Sequence, residues 1–173
     1  MDARVGAEGV LVWSPPFNIE LGWLDANGHL NMAYYHVMFD RTVDIALTEI
    51  ACGDAYREAH NAGIFNVETH VVYRREVRGD DQVRVSFQLV SRDQKRLHAY
   101  QTMVRMGDDE LVAVSESLFV HVDLGTRKVA PLPGKVIALA DEMIERQEAM
   151  GPPPLAGRRI ARLVPAPAPN TTT

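Results

Sequence analysis

With 173 residues, 46% of them hydrophobic, the chain has the length of one domain and enough apolar side chains for a sizeable core. Its net charge of −5 and pI near 5.6 exclude the basic field that a general nucleic-acid binder needs. No apolar run approaches the roughly 18 residues that span a bilayer, residues 1–4 lack a secretory apolar stretch, and the single Cys52 leaves no internal disulfide, so a cytoplasmic, membrane-free protein is expected.

In chain order, Phe17, Ile19, Leu21 and Trp23 alternate with Asn18, Glu20 and Gly22, which predicts a strand. It stops at the turn formers Asp25-Ala26-Asn27-Gly28. From Asn31, a suitable N-cap, the period becomes helical. Tyr35, Phe39, Val43, Ala46 or Leu47, and Ile50 form one stripe, with Asp40, Arg41, Asp44 and Thr48 on the other side and Gly53 as the expected stop. A short helix over 54–60 leads to Gly63. Strands follow over 65–77, 83–91, 96–106 and 111–123, separated by the turns 78–81, 92–95 and 107–109. A last helical pattern over 134–150 uses Val136, Leu139, Met143 and Ile144. Strand, long helix and four antiparallel strands in series make an α+β fold in which the striped helix covers one face of the sheet. The prolines divide the chain into a domain over 1–150 and a tail over 151–173. The tail holds six of the ten prolines and is expected to be disordered.

The chemistry concentrates where the first strand meets the long helix. A helix N-terminus offers unpaired N–H groups and the positive end of a dipole, which polarise a carbonyl oxygen aimed at them. A carboxylate just upstream, Asp25, can attack that carbonyl or activate water, and Gly28 permits close backbone approach. The plainer alternative makes Asp25 and Asn27 turn formers and lets His29 pack locally.

The string Asp-x-x-Gly-His-x-Asn-x-x-Tyr at residues 25–34 resembles the signature of the 4-hydroxybenzoyl-CoA thioesterase-like hotdog family, as does the later Val71-Val72-Tyr73-Arg74-Arg75-Glu76-Val77-Arg78-Gly79-Asp80. The resemblance implies a hotdog fold, an antiparallel sheet wrapped around a long central helix. It also implies a homodimer or homotetramer, with sites at the subunit interface and acyl-CoA as substrate. Carried over, Asp25 is the nucleophile or general base and the Met32 backbone N–H holds the thioester oxygen. His29 and Asn31 shape the turn or contact substrate. Residues 25–35, 65–70, 92–98 and 119–123 also look like the thioesterases associated with L-carnitine dehydrogenase, which are linked to betainyl-CoA hydrolysis.

Aromatic faces beside a carboxylate suit a quaternary ammonium group. Trp23, Tyr34 and Tyr35, with Glu68 as counter-charge, are therefore the candidate substrate cage, with Trp13, Phe39 and Tyr73 near them in chain order. Glu68 and His70 share one face of their strand, either toward the helix start or toward solvent. Arg74 and Arg75, with Arg78, Lys95 and Arg96, can meet CoA phosphates or be ordinary solvated strand ends. The six histidines form no His-x-x-x-His pair, so no metal is expected, and no cofactor beyond the CoA of the substrate. Cys52 is expected to be a small buried apolar residue, and no Gly-x-Ser-x-Gly elbow is present. The competing functions are a non-catalytic acyl-CoA-binding hotdog module, a hotdog hydratase (whose Gly-Asp-x-Asn-Pro-x-His pattern is absent) and a ligand-free structural oligomer.

Overall fold

The Asn31 side chain accepts from the Ala33 N–H at 3.0 Å and starts the long helix α1, Met32–Glu49. Its stripe of Tyr35, Met38, Phe39, Val43, Ala46 and Leu47 is buried. The helix does not run on to Gly53. Ala51 takes the left-handed conformation at φ 56°, and Cys52 N donates to Leu47 O at 2.8 Å while Ala51 N donates to Thr48 O at 3.1 Å. This is a Schellman closure, formed here without glycine. Gly53 instead opens the short helix α2, Asp54–His60, at a point where a Cβ would lie 2.6 Å from Thr48 Oγ1.

The computed structural model describes residues 9–160. Its strands are β1 (Val12–Trp13), β2 (Phe17–Asn18), β3 (Ala62–Tyr73), β4 (Gln82–Arg92), β5 (Arg96–Arg105), β6 (Leu111–Asp123) and β7 (Lys128–Val129), followed by helix α3 (Gly134–Glu148). All pairings are antiparallel, in the order β1-β4-β5-β6-β3, with β2 also on β4 and β7 on β6. The four long strands are consecutive in sequence but not in space. β3 crosses to the far side of β6, so β3 and β4 lie at opposite ends of the set and residues 74–81 must span between them.

The strand expected over 17–23 is two residues long. Trp23 N donates to Glu20 O at 2.9 Å, and residues Leu21–Trp23 form a 3-10 turn that leaves Leu21 83% exposed. The strand expected over 65–77 likewise ends at Tyr73. Arg74 N and Arg75 N both donate to Val112 O, at 2.8 and 3.2 Å, and the ladder stops there.

Val85, Met103 and Ala113 join Tyr35, Met38 and Phe39 in one core cluster at the start of α1. Leu89, Ala99 and Phe119 join Ala46, Leu47 and Met143 in a second, between the end of α1 and α3. Side chains alternate along the strands, so Gln88, Tyr100 and Glu116 face the other way. Residues 151–160 lie against that outer face. Gly151 O accepts from Gln88 Nε2 at 3.3 Å, Pro154 O accepts from the Tyr100 hydroxyl, and Gly157 N donates to Glu116 Oε2 at 2.7 Å. The expected disordered tail begins with this hydrogen-bonded stretch, and residues 161–173 lie outside the described residues.

The two edges of the sheet differ. On the β4 side, β2 takes the start of the strand and β1 its middle, Ser14 exchanges bonds with Val85, and Gln147 of α3 reaches Leu89 N and Phe87 O. On the other side, β3 pairs with β6 alone, and Phe65, Val67 and Tyr73 are 42–56% exposed.

Candidate active site

The turn before α1 is tied by its own carboxylate. Asp25 Oδ1 accepts from Asn27 N at 2.8 Å and from His29 N at 3.2 Å, while the Asp25 N–H donates to His29 O at 2.8 Å. Gly28, at φ 76°, donates to Asp25 O at 3.0 Å and supplies the positive-φ residue that the turn requires. The His29 and Asn27 backbone bonds favour the charged form and hold the Asp25 carboxyl below its ordinary value of 3.8. The carboxylate is thus ionised at neutral pH, with Oδ2 free of these turn bonds.

Backbone pairing sets this turn against the helix start. Asn31 N donates to Trp23 O at 2.9 Å and Leu30 N to Val77 O at 2.8 Å, and His29 bridges to Arg78. Asn31 caps the Ala33 N–H. The first helical N–H, that of Met32, has no acceptor within the helix by geometry and is left for a ligand or water.

An open hollow of about 570 Å³ collects the two stretches that resembled one family. Asp25, His29, Asn31, Met32 and Tyr35 come from the turn and helix start, and Tyr73, Arg74, Arg75 and Glu76 from the end of β3 and the loop beyond it. Tyr35 meets Tyr73 edge to face at 5.1 Å, forming an aromatic wall. Burial, with Tyr73 and Asp81 nearby, pushes the Tyr35 phenol up to about 12, so it stays protonated. Arg75 is engaged by Glu110 at 3.0 Å, whereas Arg74 makes no ion pair among the described residues.

Three other expected site residues stand elsewhere. Trp23 is buried and stacks on Tyr34 at 5.1 Å, and neither lines this hollow. Glu68 is not brought to Asp25. It follows the register shift in β3, faces the outer side of the sheet opposite Leu118, and lines a separate hollow with His70, His98 and Glu116. Tyr73 was expected only as one of the aromatics near the site in chain order, and Glu76 was given no site role by the sequence reading. The signal for them was their place in the second family-like stretch, whose segment crosses under the helix start. A larger hollow, of about 700 Å³ between α1, α2 and α3, shares no lining residue with the Asp25 hollow. No group of three or more His, Cys, Asp or Glu among the described residues is placed to hold a metal ion, and no described helix is long and apolar enough to cross a membrane.

An antiparallel sheet wrapped on a long central helix is the hotdog arrangement. Residues 19–143 match the family model of the thioesterase-like superfamily, and the chain belongs to that superfamily and is by class a thioester hydrolase. Among its relatives is the betainyl-CoA thioesterase of Pseudomonas aeruginosa, 33% identical over 80% of this chain and 87% of that protein. Another is the L-carnitine dehydrogenase/betainyl-CoA thioesterase of Rhizobium meliloti, 29% identical over 83% of this chain; the match spans 29% of that longer protein. Of solved structures, a putative thioesterase from Pseudomonas putida KT2440 superposes with a TM-score of 0.75 at 31% identity, covering 90% of this chain and 98% of that one. A Staphylococcus aureus protein in complex with CoA superposes with a TM-score of 0.82, covering 88% and 96%, and at 22% identity it speaks to the fold alone.

Proposed function

We propose that this chain hydrolyses the thioester of betainyl-CoA, with Asp25 as the reacting carboxylate and the Met32 N–H as the oxyanion donor. The observation that carries this reading is the meeting of an ionised Asp25, a helix start and the Tyr35–Tyr73 wall in one hollow. The thioester oxygen points at the Met32 N–H, where developing negative charge is stabilised by the N–H and the helix dipole. Asp25 then adds to the carbonyl carbon and the C–S bond breaks. CoA leaves as the thiolate, and water hydrolyses the mixed anhydride. In the alternative route Asp25 takes a proton from water as the water adds, and returns it to the leaving sulfur. Both routes start from the ionised carboxylate, and a lowered basicity weakens it as base and as nucleophile alike.

The betainyl group places its trimethylammonium one carbon from the reacting carbonyl, so its counter-charge must sit at the reaction centre. Asp25 itself and the Tyr35–Tyr73 faces meet that requirement, and Glu68, on the other side of the sheet, does not. Arg74, free of ion pairs among the described residues at the rim, is assigned to a CoA phosphate ahead of the engaged Arg75. The open, partly apolar β3 edge supports a homodimer joined along β3, or a homotetramer built from such pairs. The single buried Cys52 supports a cytoplasmic setting. The scheme uses no metal or further cofactor.

The test is CoA release from betainyl-, 4-hydroxybenzoyl-, short aliphatic and long aliphatic thioesters by wild type and Asp25→Asn. Betainyl-CoA is expected to be turned over best, and Asp25→Asn to lower turnover by about 10²-fold or more. Binding of CoA derivatives without turnover of any would replace this reading with a non-catalytic acyl-CoA-binding module.

A further inference from the structure

The loop after β3 does more than close the hollow. Its Glu76 carboxylate lies 3.1 Å from Nε2 of His29, and the Arg78 guanidinium holds the other oxygen of the same group. Just beyond Glu76 the loop is knitted to the Asp25 turn by the Leu30 N–Val77 O bond and the His29–Arg78 bridge. His29 in turn touches Asp25 twice through its backbone, donating to Oδ1 and accepting from the Asp25 N–H. One residue thus joins Asp25 to Glu76, by its main chain on one side and its ring on the other.

The chemistry of this contact is directional. An ionised carboxylate only accepts, so the ring nitrogen facing Glu76 carries a proton. In a neutral imidazole the second nitrogen, Nδ1, is then the one able to accept. Glu76 stays anionic through the neutral range, because the Arg78 hydrogen bond, and after it the His29 charge, hold it below its ordinary value. Both partners are partly exposed, 34% and 49%, so the pair contributes little to folding and its effect is on orientation.

We infer that Glu76 is a positioning residue for thioester hydrolysis, acting through His29: its carboxylate fixes the imidazole in the Nε2–H form and braces the Asp25 turn against the helix start. The inference rests on the Asp25 hollow being the hydrolytic site. Glu76 does not touch substrate in this arrangement. It is an orienter of the kind that holds the imidazole in a hydrolase triad, here supplied by the loop that crosses the sheet.

The test combines a spectroscopic and a kinetic measurement on the full-length protein. The ¹⁵N signals of the His29 ring, recorded where the ring is neutral, are expected to show Nε2–H in the wild type and a tautomer mixture in Glu76→Ala. A wild-type ring protonated at Nδ1 overturns the proposal without any variant having to fold. In kinetics, Glu76→Ala is expected to lower kcat about 10-fold with KM within about twofold, and to have less than about a twofold effect when His29 is already alanine. Additive losses, or a raised KM at unchanged kcat, overturn the positioning role while leaving the hydrolytic reading standing. A wild type that turns over no thioester removes both.

Discussion

The side-chain oxygen of Gln147 on α3 accepts from the backbone N–H of Leu89 on β4 at 2.7 Å, and the amide nitrogen of the same side chain donates to Val10 O at 3.2 Å. Gln147 is 1% exposed, so a helix side chain stands in for the neighbouring strand that β4 lacks at this point. Gln147→Leu leaves a buried N–H without an acceptor, a defect of about 1–3 kcal/mol. For a domain of this size each kcal/mol lowers Tm by about 2–4 °C. A thermal melt that shows no loss in the variant would mean that the bond is replaced.

With Asp25 as the proposed reacting carboxylate, its ionisation would set the acid side of the pH dependence. Its folded value lies below 3.8 because the His29 and Asn27 amides bond the charged form. The reactive ionised form therefore persists as pH falls through 5. kcat/KM for the best thioester is expected to show no acid limb above about pH 4 assignable to Asp25. An acid limb near pH 6 that vanishes with Asp25→Asn would contradict this.

A charge-selective acyl site separates betainyl-CoA from its neutral isostere, 3,3-dimethylbutyryl-CoA. The expected preference is at least about 10-fold in kcat/KM, the scale of one cation–π and charge contact partly removed from water. It shrinks in Tyr73→Ala, which dismantles the wall opposite Tyr35. Equal rates for the two thioesters exclude the cationic acyl group.

Cys52 is 3% exposed and burial raises its thiol to about 11. An aromatic disulfide reagent at pH 8 is expected to leave it unmodified in the native protein and to titrate one thiol after denaturation. Rapid reaction of the native protein would show that α1 opens at its C-terminal end.

Asp93, in the β4–β5 turn, accepts from Lys95 N and Arg96 N and from the Arg96 guanidinium, and is held down to about 2. A depressed carboxylate adds stability above its unfolded value and loses it as pH falls through its folded one. The Tm gap between wild type and Asp93→Ala is therefore constant from pH 7 to about 5 and closes between about pH 4 and 2. A gap that does not depend on pH would place the effect elsewhere.

Much of this was legible from local signals. Asn31 opens α1 and residues 54–60 form α2, because capping and helical periodicity are properties of adjacent residues. What escaped depended on partners distant in sequence. The alternation from Phe17 to Trp23 is real, yet β4 ends at Gln82, opposite Asn18, and offers nothing for Leu21 to pair with. Ala51 in place of Gly53 ends α1 because Leu47 and Thr48 carbonyls are in reach, which composition does not show. The face of Glu68 was undecidable from parity alone, since both faces of an edge strand carry polar residues. In the candidate site, Asp25, His29 and Asn31 were readable as a motif, and the Met32 N–H came only with the family resemblance. The contact of His29 with Glu76 was not readable, because it depends on the crossing of residues 74–81 from one edge of the sheet to the other.

The unequal edges of the sheet also bear on how the molecule can grow. β4 has its outward groups taken by β1, β2, Ser14 and Gln147, while β3 has none of its outward groups taken by another strand among the described residues. A surface that can accept a strand on one side only is used up by a single two-fold union. Were two copies to join there, further copies would find no β3 edge to extend, and the same open edge would then guard against runaway polymerisation into fibrils.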